Sequence, residues 1–442
     1  MGKYKRGHVS GSRLSRSKVT PVTVFCVSSI IALLSLLICF VVTRGELITY
    51  YFWPDVRDTG MDFFHSMEYV RGRVPYERYD TLYPPLANLF FLCLYFIVPV
   101  GITNQWAPDF WSSIAYRGTN VDLRTYQAPM LLFILVLIIT AWMIVSLIIA
   151  MLKRLPYRQA NCAALCLLLS PGMLLSFERG NILFFVIPMC LFFIHYRNSS
   201  NWFVRELALI SLAFAAGMKL YPAFFGILLL RDKKYAQALR AVLYGILSVI
   251  LPALVFKEGL AGIPVWLSIV FDFGSVGDLP HIGSSFANIL HRIALYSKDY
   301  LGIELNTDSF SVISMLLSAL LLIVSMGFKK DWQSVLAITM AIIMFSSNGQ
   351  YIYGFMCIPA VMFLMEEPSF TRNNLVPFAL ITLLCVNIPL FGGFNGHYPN
   401  VAVRQLISLL IVCWCIYYAV TLEIKKVNKI TSRRKNNGNL EK

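Results

Sequence analysis

The chain has 442 residues, 57% of them hydrophobic and only 14% charged, with a mean hydropathy of +0.66; a soluble protein of this size would carry roughly a quarter charged residues, which excludes a water-soluble fold. The formal charge of +15 is concentrated in two tails, MGKYKRGHVSGSRLSRSK and KKVNKITSRRKNNGNLEK. Such polybasic ends read as topology signals or anionic-lipid contacts and argue against a nucleic-acid partner.

Apolar runs of about 17 to 25 residues recur along the chain, each long enough to cross a hydrocarbon core of about 30 Å as a helix. The fold expected is all-α and polytopic; the short alternating segments of a membrane β-barrel are missing. In chain order the spans are expected near 20–43, 83–101, 127–152, 159–177, 181–196, 207–230, 241–256, 309–328, 333–347, 351–366, 375–391 and 400–422, twelve in all. They form one transmembrane domain over 1–442, with basic tails at 1–19 and 423–442 and outer segments at 44–82 and 257–308. An even number of spans puts both tails in the cytoplasm and the loops RDKK (231–234) and KKDW (329–332) with them. One loop disagrees: KRLPYR (153–158) falls outside in this count although its three cations favour the inside, so either a span beside it is re-entrant or the cations are held there for a purpose. No internal repeat is visible, which weakens a repeat-built transporter. All ten cysteines lie inside apolar runs, so their spacing offers neither a disulfide framework nor a cysteine-based metal site.

The outer segments carry the chemistry. In DVRDTGMDFFH (55–65) three aspartates and a histidine crowd beside the first span. Wound as a helix over 55–70, Asp55, Asp58, Asp62, His65 and Tyr69 fall within about 80° of one another at 100° per residue, and the segment reads as an amphipathic helix in the membrane interface with that edge turned away from lipid. Three readings compete: a solvated face pairing with Arg57 or Arg71, a divalent-metal cluster, or a general base.

The neighbouring residues favour the base. The outer aspartate followed by Gly72, Pro75-Tyr76 and Tyr83-Pro84-Pro85-Leu86 resembles the GT-C membrane glycosyltransferases, most closely glycosyltransferase family 87, the polyprenol-phosphate-mannose-dependent mannosyltransferases. SPGMLLSFERGNILFFVIP (170–188), AAGMKLYPAFFGILLLRDKK (215–234), GSSFANILHRI (283–293) and FSSNGQYIYG (345–354) follow in that family's order, although Arg179-Gly180-Asn181 stands in place of Gly-Gln, and Tyr351 and Tyr353 in place of histidine.

The resemblance implies transfer of one sugar, mannose or a related hexose or pentose, from a polyprenyl phosphate to a glycan or glycolipid hydroxyl on the outer face, with inversion. Such chemistry needs a carboxylate to take the hydroxyl proton and cations to receive the leaving phosphate; it needs no cofactor. Asp62 best matches the family aspartate, then Asp58, then Asp55. His65 would orient the base or touch substrate. Lys219, costly inside an apolar run unless paired or wetted, and Arg292 are the phosphate candidates, with Asn288 and His281 nearby on the large outer segment. Tyr76, Tyr83 and Trp266 could stack on a sugar. Glu178-Arg179 could simply pair internally. The first outer segment holds no Asp-any-Asp motif, which argues against an obligatory metal. The rivals are a flippase for a lipid-linked saccharide, which should show charges along a path through the membrane, and an O-antigen-type polymerase, which should show arginine-rich outer loops.

Overall fold

The computed structural model describes residues 19–46, 59–103, 123–275, 283–345, 349–390 and 399–438. Among these the chain is helical, with no strand and a single antiparallel bridge between Gly283 and Gly349. It is an all-α membrane protein. Proline opens α1 (Pro21–Val42), α2 follows at Met61–Tyr69, and proline again opens α3 (Pro75–Tyr79) and α4 (Pro85–Ile97). At a first helical position the missing N–H costs nothing and the fixed φ is already helical.

Next come α5 (Gln127–Met151), α6 (Tyr157–Leu168), α7 (Pro171–Arg179), α8 (Leu183–Tyr196) and α9 (Trp202–Met218). A 3-10 segment, Tyr221–Gly226, leads into α10 (Ile227–Arg231), followed by α11 (Tyr235–Ala253), α12 (Gly262–Ser275), α13 (Phe286–Leu301), α14 (Phe310–Gly327) and α15 (Asp331–Met344). Another 3-10 segment, Gln350–Met356, leads into α16 (Cys357–Glu366); α17 (Leu375–Cys385) and the long α18 (Pro399–Gly438) follow. The core is built mainly of apolar side chains, with Phe63, Phe91, Phe193, Trp332 and Phe355 buried in it.

By length and composition five helices can cross a bilayer, and six if the α6–α7 pair, bent by 54°, counts as one. That is fewer than the twelve expected, because most of the remaining apolar runs form helices of 10–17 residues cut by polar breaks. Two expectations change in kind. The run 207–230 is not one helix: α9 ends at Lys219, whose backbone is extended, and Pro222 starts a fresh segment. The run 83–101 yields the 13-residue α4, about 20 Å long, and the start of a four-residue helix at Val100–Thr103.

Two polar clusters mark the ends of the molecule. At one, Asp62, Asn181 and Lys219 meet. At the other, Arg197 binds Asp331 at 2.5 Å and Asp232 at 3.7 Å, Arg231 binds Asp331, and Lys330 binds Glu367. Helix α8 spans the distance from Asn181 to Arg197. Arg124, just before α5, donates to the Thr59 carbonyl at the first end, whereas Lys153, just after it, acts electrostatically on His195 beside Arg197. The KRLPYR loop therefore lies with RDKK and KKDW. Tyr83 and Arg124 both stand at the first end.

Residues 73–82 and 257–266 dock on each other. Glu258 Oε1 accepts from the backbone N–H groups of Tyr76 and Glu77 at 3.0 and 2.9 Å, satisfying the start of α3 from across the sequence. The Lys257 N–H donates to the Arg73 carbonyl, and Trp266 Nε1 to the Leu82 carbonyl at 3.2 Å.

Candidate active site

Helix α2 does not run from 55. It starts at Met61 behind Gly60, which is left-handed at φ 70°, so the predicted five-residue stripe is broken there. Asp55, Asp58 and His281 lie outside the described residues. Nor is α2 a surface helix: Met61, Phe63, Phe64, His65, Ser66, Met67 and Glu68 are all buried, because Phe63 and Phe64 pack on Phe91 of α4 and Phe133 of α5. Asp62 escapes that burial and remains 18% exposed.

Its two oxygens are held separately. Arg179 Nη2 donates to Oδ1 at 2.9 Å, and Asn181 Nδ2 donates to Oδ2 at 2.6 Å. Asn181 Oδ1 in turn accepts from Lys219 Nζ at 3.1 Å. The amide thus passes from base candidate to cation, and its Oδ1 also accepts from the Leu183 N–H at the start of α8. Around the ammonium stand Tyr351 at 4.7 Å from its ring centre, Tyr221 at 5.9 Å and Tyr83 at 6.0 Å. An aromatic cage of this kind holds a cation without neutralising it.

Local backbone chemistry aims these groups. Gly180 closes α7 in the left-handed region at φ 63°, and a Cβ there would stand 2.8 Å from Phe63 Cβ; only glycine lets Arg179 and Asn181 turn back onto Asp62. Gly172, at the other end of α7, lies against backbone: an added Cβ would be 2.2 Å from the Gly354 nitrogen. That crossing presses α7 onto the 350–356 segment, where Ser176 Oγ donates to the Tyr351 carbonyl at 3.1 Å. Glu178 holds the approach to α2, accepting from Thr59 Oγ1 at 2.7 Å through its side chain and from the Gly60 N–H through its carbonyl. Arg179 pairs with Asp62, and Glu178 with Thr59, where sequence had suggested a local pair.

The same 350–356 segment carries a second polar cluster on α13 and α18. Arg292 and Arg404 are both buried and both act electrostatically on Tyr353, whose hydroxyl bonds Ser408 at 3.1 Å. Arg404 Nη1 donates to Gln350 Oε1 at 3.4 Å, and Gln350 and Gln405 both donate to the Gly283 carbonyl. Asn288 completes a capping box with Ser285; its Oδ1 accepts from Ser285 and its buried Nδ2 has no hydrogen-bond partner among the described residues. Tyr351 and Tyr353 place this cluster next to the lysine cage.

Other expected residues are occupied. Tyr76 and Trp266 are buried at 2% and 3% exposure, with their polar atoms on the carbonyls of Tyr83 and Leu82, so neither ring offers an open stacking face. His65 is buried one turn after Asp62, with its ring 5.9 Å from that of Tyr69. Glu68, nearly two turns on, is fully buried, with one oxygen unpartnered among the described residues and the other 3.4 Å from the Tyr79 hydroxyl; burial pushes its carboxyl up to about 7 against the pull of Arg71 and Arg78. Sequence reasoning missed Asn181, Tyr221, Gln350, Arg404 and Gln405. Asn181, Tyr221 and Gln350 left a trace only as members of the polar breaks at 179–181, 215–234 and 345–354; Arg404 and Gln405 left none.

A helical membrane protein with a half-buried carboxylate, a caged lysine and two buried arginines at one end has the parts of a group-transfer enzyme, a proton acceptor beside cations. The family model of glycosyltransferase family 87 matches residues 81–347, and the chain belongs to that family. It is a membrane glycosyltransferase. No curated protein matches it.

Proposed function

We propose that the protein transfers a single sugar, mannose or a related hexose or pentose, from a polyprenyl phosphate to a glycan or glycolipid hydroxyl, with inversion and without a metal or cofactor. The observation that carries this reading is the Asp62–Asn181–Lys219 chain, which sets a proton acceptor beside a cation. The acceptor oxygen attacks the anomeric carbon while its proton passes to Asp62. A carboxylate has about four lone-pair sites, so the bonds from Arg179 and Asn181 leave room for one more donor. The bond to the phosphate oxygen breaks, and polyprenyl phosphate departs already ionised, needing no acid. Lys219 receives the charge that develops there, with Arg292 and Arg404 holding the remaining phosphate oxygens. Tyr83, Tyr221 and Tyr351 offer rings for the sugar. His65 and Asn288 support α2 and α13, and Tyr76 the turn before α4.

We place this end on the outer face, in the cell membrane, with both termini cytoplasmic. The support is electrostatic: Lys153, Arg154, Lys233, Lys234, Lys329 and Lys330 sit at the opposite end, where cytoplasmic loops collect basic residues. The topology we propose has twelve passes, with 83–101 counted as none and 207–230 as two.

The test is transfer from a panel of polyprenyl-phosphate sugars to membrane lipid extract by the purified protein in detergent. Wild type should transfer label in EDTA. Asp62→Asn should fold and lose transfer; full activity in that variant would remove Asp62 from the chemistry.

A further inference from the structure

Far from this site the fold assembles a group that sequence spacing could not suggest. Cys26 of α1 and Cys162 and Cys166 of α6 bring their sulfurs to within 4.8 Å of one another. Among the described residues these are the one group of three metal-binding side chains so close together. Cys26 and Cys166 are buried, Cys162 is half-exposed, and all three are free thiols. Cys162 and Cys166 are four apart, so they share a face of α6, and that face meets the second turn of α1.

We propose that Cys26, Cys162 and Cys166 form a binding site for a soft d10 metal ion, Cu(I) or Zn(II), that clasps α1 to α6.

Three arguments carry it. First, with metal–sulfur bonds of about 2.3 Å, three thiolates around one ion stand about 3.8–4.0 Å apart, so the present spacing closes on an ion by shifts of under about 1 Å. Second, sulfur ligands without oxygen or nitrogen select thiophilic ions over hard ones. Third, the charge is supported. Cys26 and Cys162 each lie in the second turn of a helix, α1 and α6, that begins at the basic end of the molecule, so two helix N-termini direct their partial positive charge toward the thiolates. Lys153, Arg154 and Arg158 stand exposed in the loop that opens α6. The half-exposed Cys162 is the way in. Binding releases the thiol protons to solvent and changes no oxidation state.

The contrast is internal. Cys190, Cys357 and Cys385 are also buried and near one another, yet do not reach ligand spacing. The experiment uses the full chain in detergent under reducing conditions, titrated with Cu(I), Zn(II) and Cd(II) as a spectroscopic probe. One ion per chain is expected, with thiolate-to-metal charge-transfer absorption for Cd(II). The bound ion should protect Cys26, Cys162 and Cys166 from alkylation, read peptide by peptide. The variant C26S/C162S/C166S should lose that absorption, whereas C190S/C357S/C385S should keep it. Unchanged absorption in the first variant would overturn the assignment. If that variant does not fold, the wild-type alkylation map decides: equal labelling of the three cysteines with and without metal overturns it equally.

Discussion

Asp62 keeps its geometry through two donors on one short turn, which separates its two conceivable roles. If the carboxylate only pairs with Arg179, Asp62→Asn should cost stability and spare transfer. If it takes a proton, the same change should lower kcat by about 10²- to 10⁴-fold with little change in melting temperature. Asn181→Ala should also slow transfer, since it frees both Asp62 Oδ2 and Lys219. Glu68 is a second carboxylate on the same helix, with a different environment. Its ordinary value near 4.5 rises to about 7 through burial, so the folded chain keeps a proton that the unfolded chain releases between those pH values. Stability therefore falls as pH rises through that window and levels off above it, by about 3 kcal/mol. Glu68→Gln should flatten that fall, raising the melting temperature in detergent at pH 8 and leaving it nearly unchanged at pH 4.5. A variant that melts like wild type at pH 8 would show that Glu68 is ionised or hydrated in the fold.

At the scale of elements, α7 is the part that builds the site. It is nine residues long, pinned to the 350–356 segment by Gly172 and turned onto α2 by Gly180. Gly172→Ala forces two backbones apart and should cost well over about 2 kcal/mol, seen as loss of folded protein in detergent. Gly180→Ala adds left-handed strain of about 1 kcal/mol to a clash with Phe63, and should depress transfer more than stability because Arg179 and Asn181 move with the turn. The aspartate, the ERGN break and the lysine were all legible in sequence as polar residues in apolar surroundings. Their mutual contacts were not, because an apolar run reports only the helix that contains it. Arg404 illustrates the limit: inside a span expected near 400–422 it stood as an isolated cation, and only its neighbours Gln350 and Tyr353 connect it to the site.

On the scale of the whole molecule, the described helices from α5 to α11 can be followed between a site end and a basic end. A cysteine reporter at Arg154 and another at Lys233, on a background lacking the native cysteines, should react with an impermeant maleimide from the same side of sealed vesicles. A reporter at Arg71 should react from the other. Labelling of Arg154 and Lys233 from opposite sides would refute the topology. The same scale corrects the expected span list. Hydropathy merged α9 and α10 because both are apolar, although Lys219 and Pro222 break the chain between them.

Composition and run length alone determined that this is a helical membrane protein, because burying backbone in lipid leaves few alternatives. The order of its motifs indicated the glycosyltransferase class. The tertiary structure alone decided that Arg179, 117 residues from Asp62, holds it, that KRLPYR belongs with the other basic loops, and that three scattered cysteines meet. The reason is physical: helix formation and membrane partition are local and additive along the chain, whereas which polar faces meet depends on close packing between helices far apart in sequence.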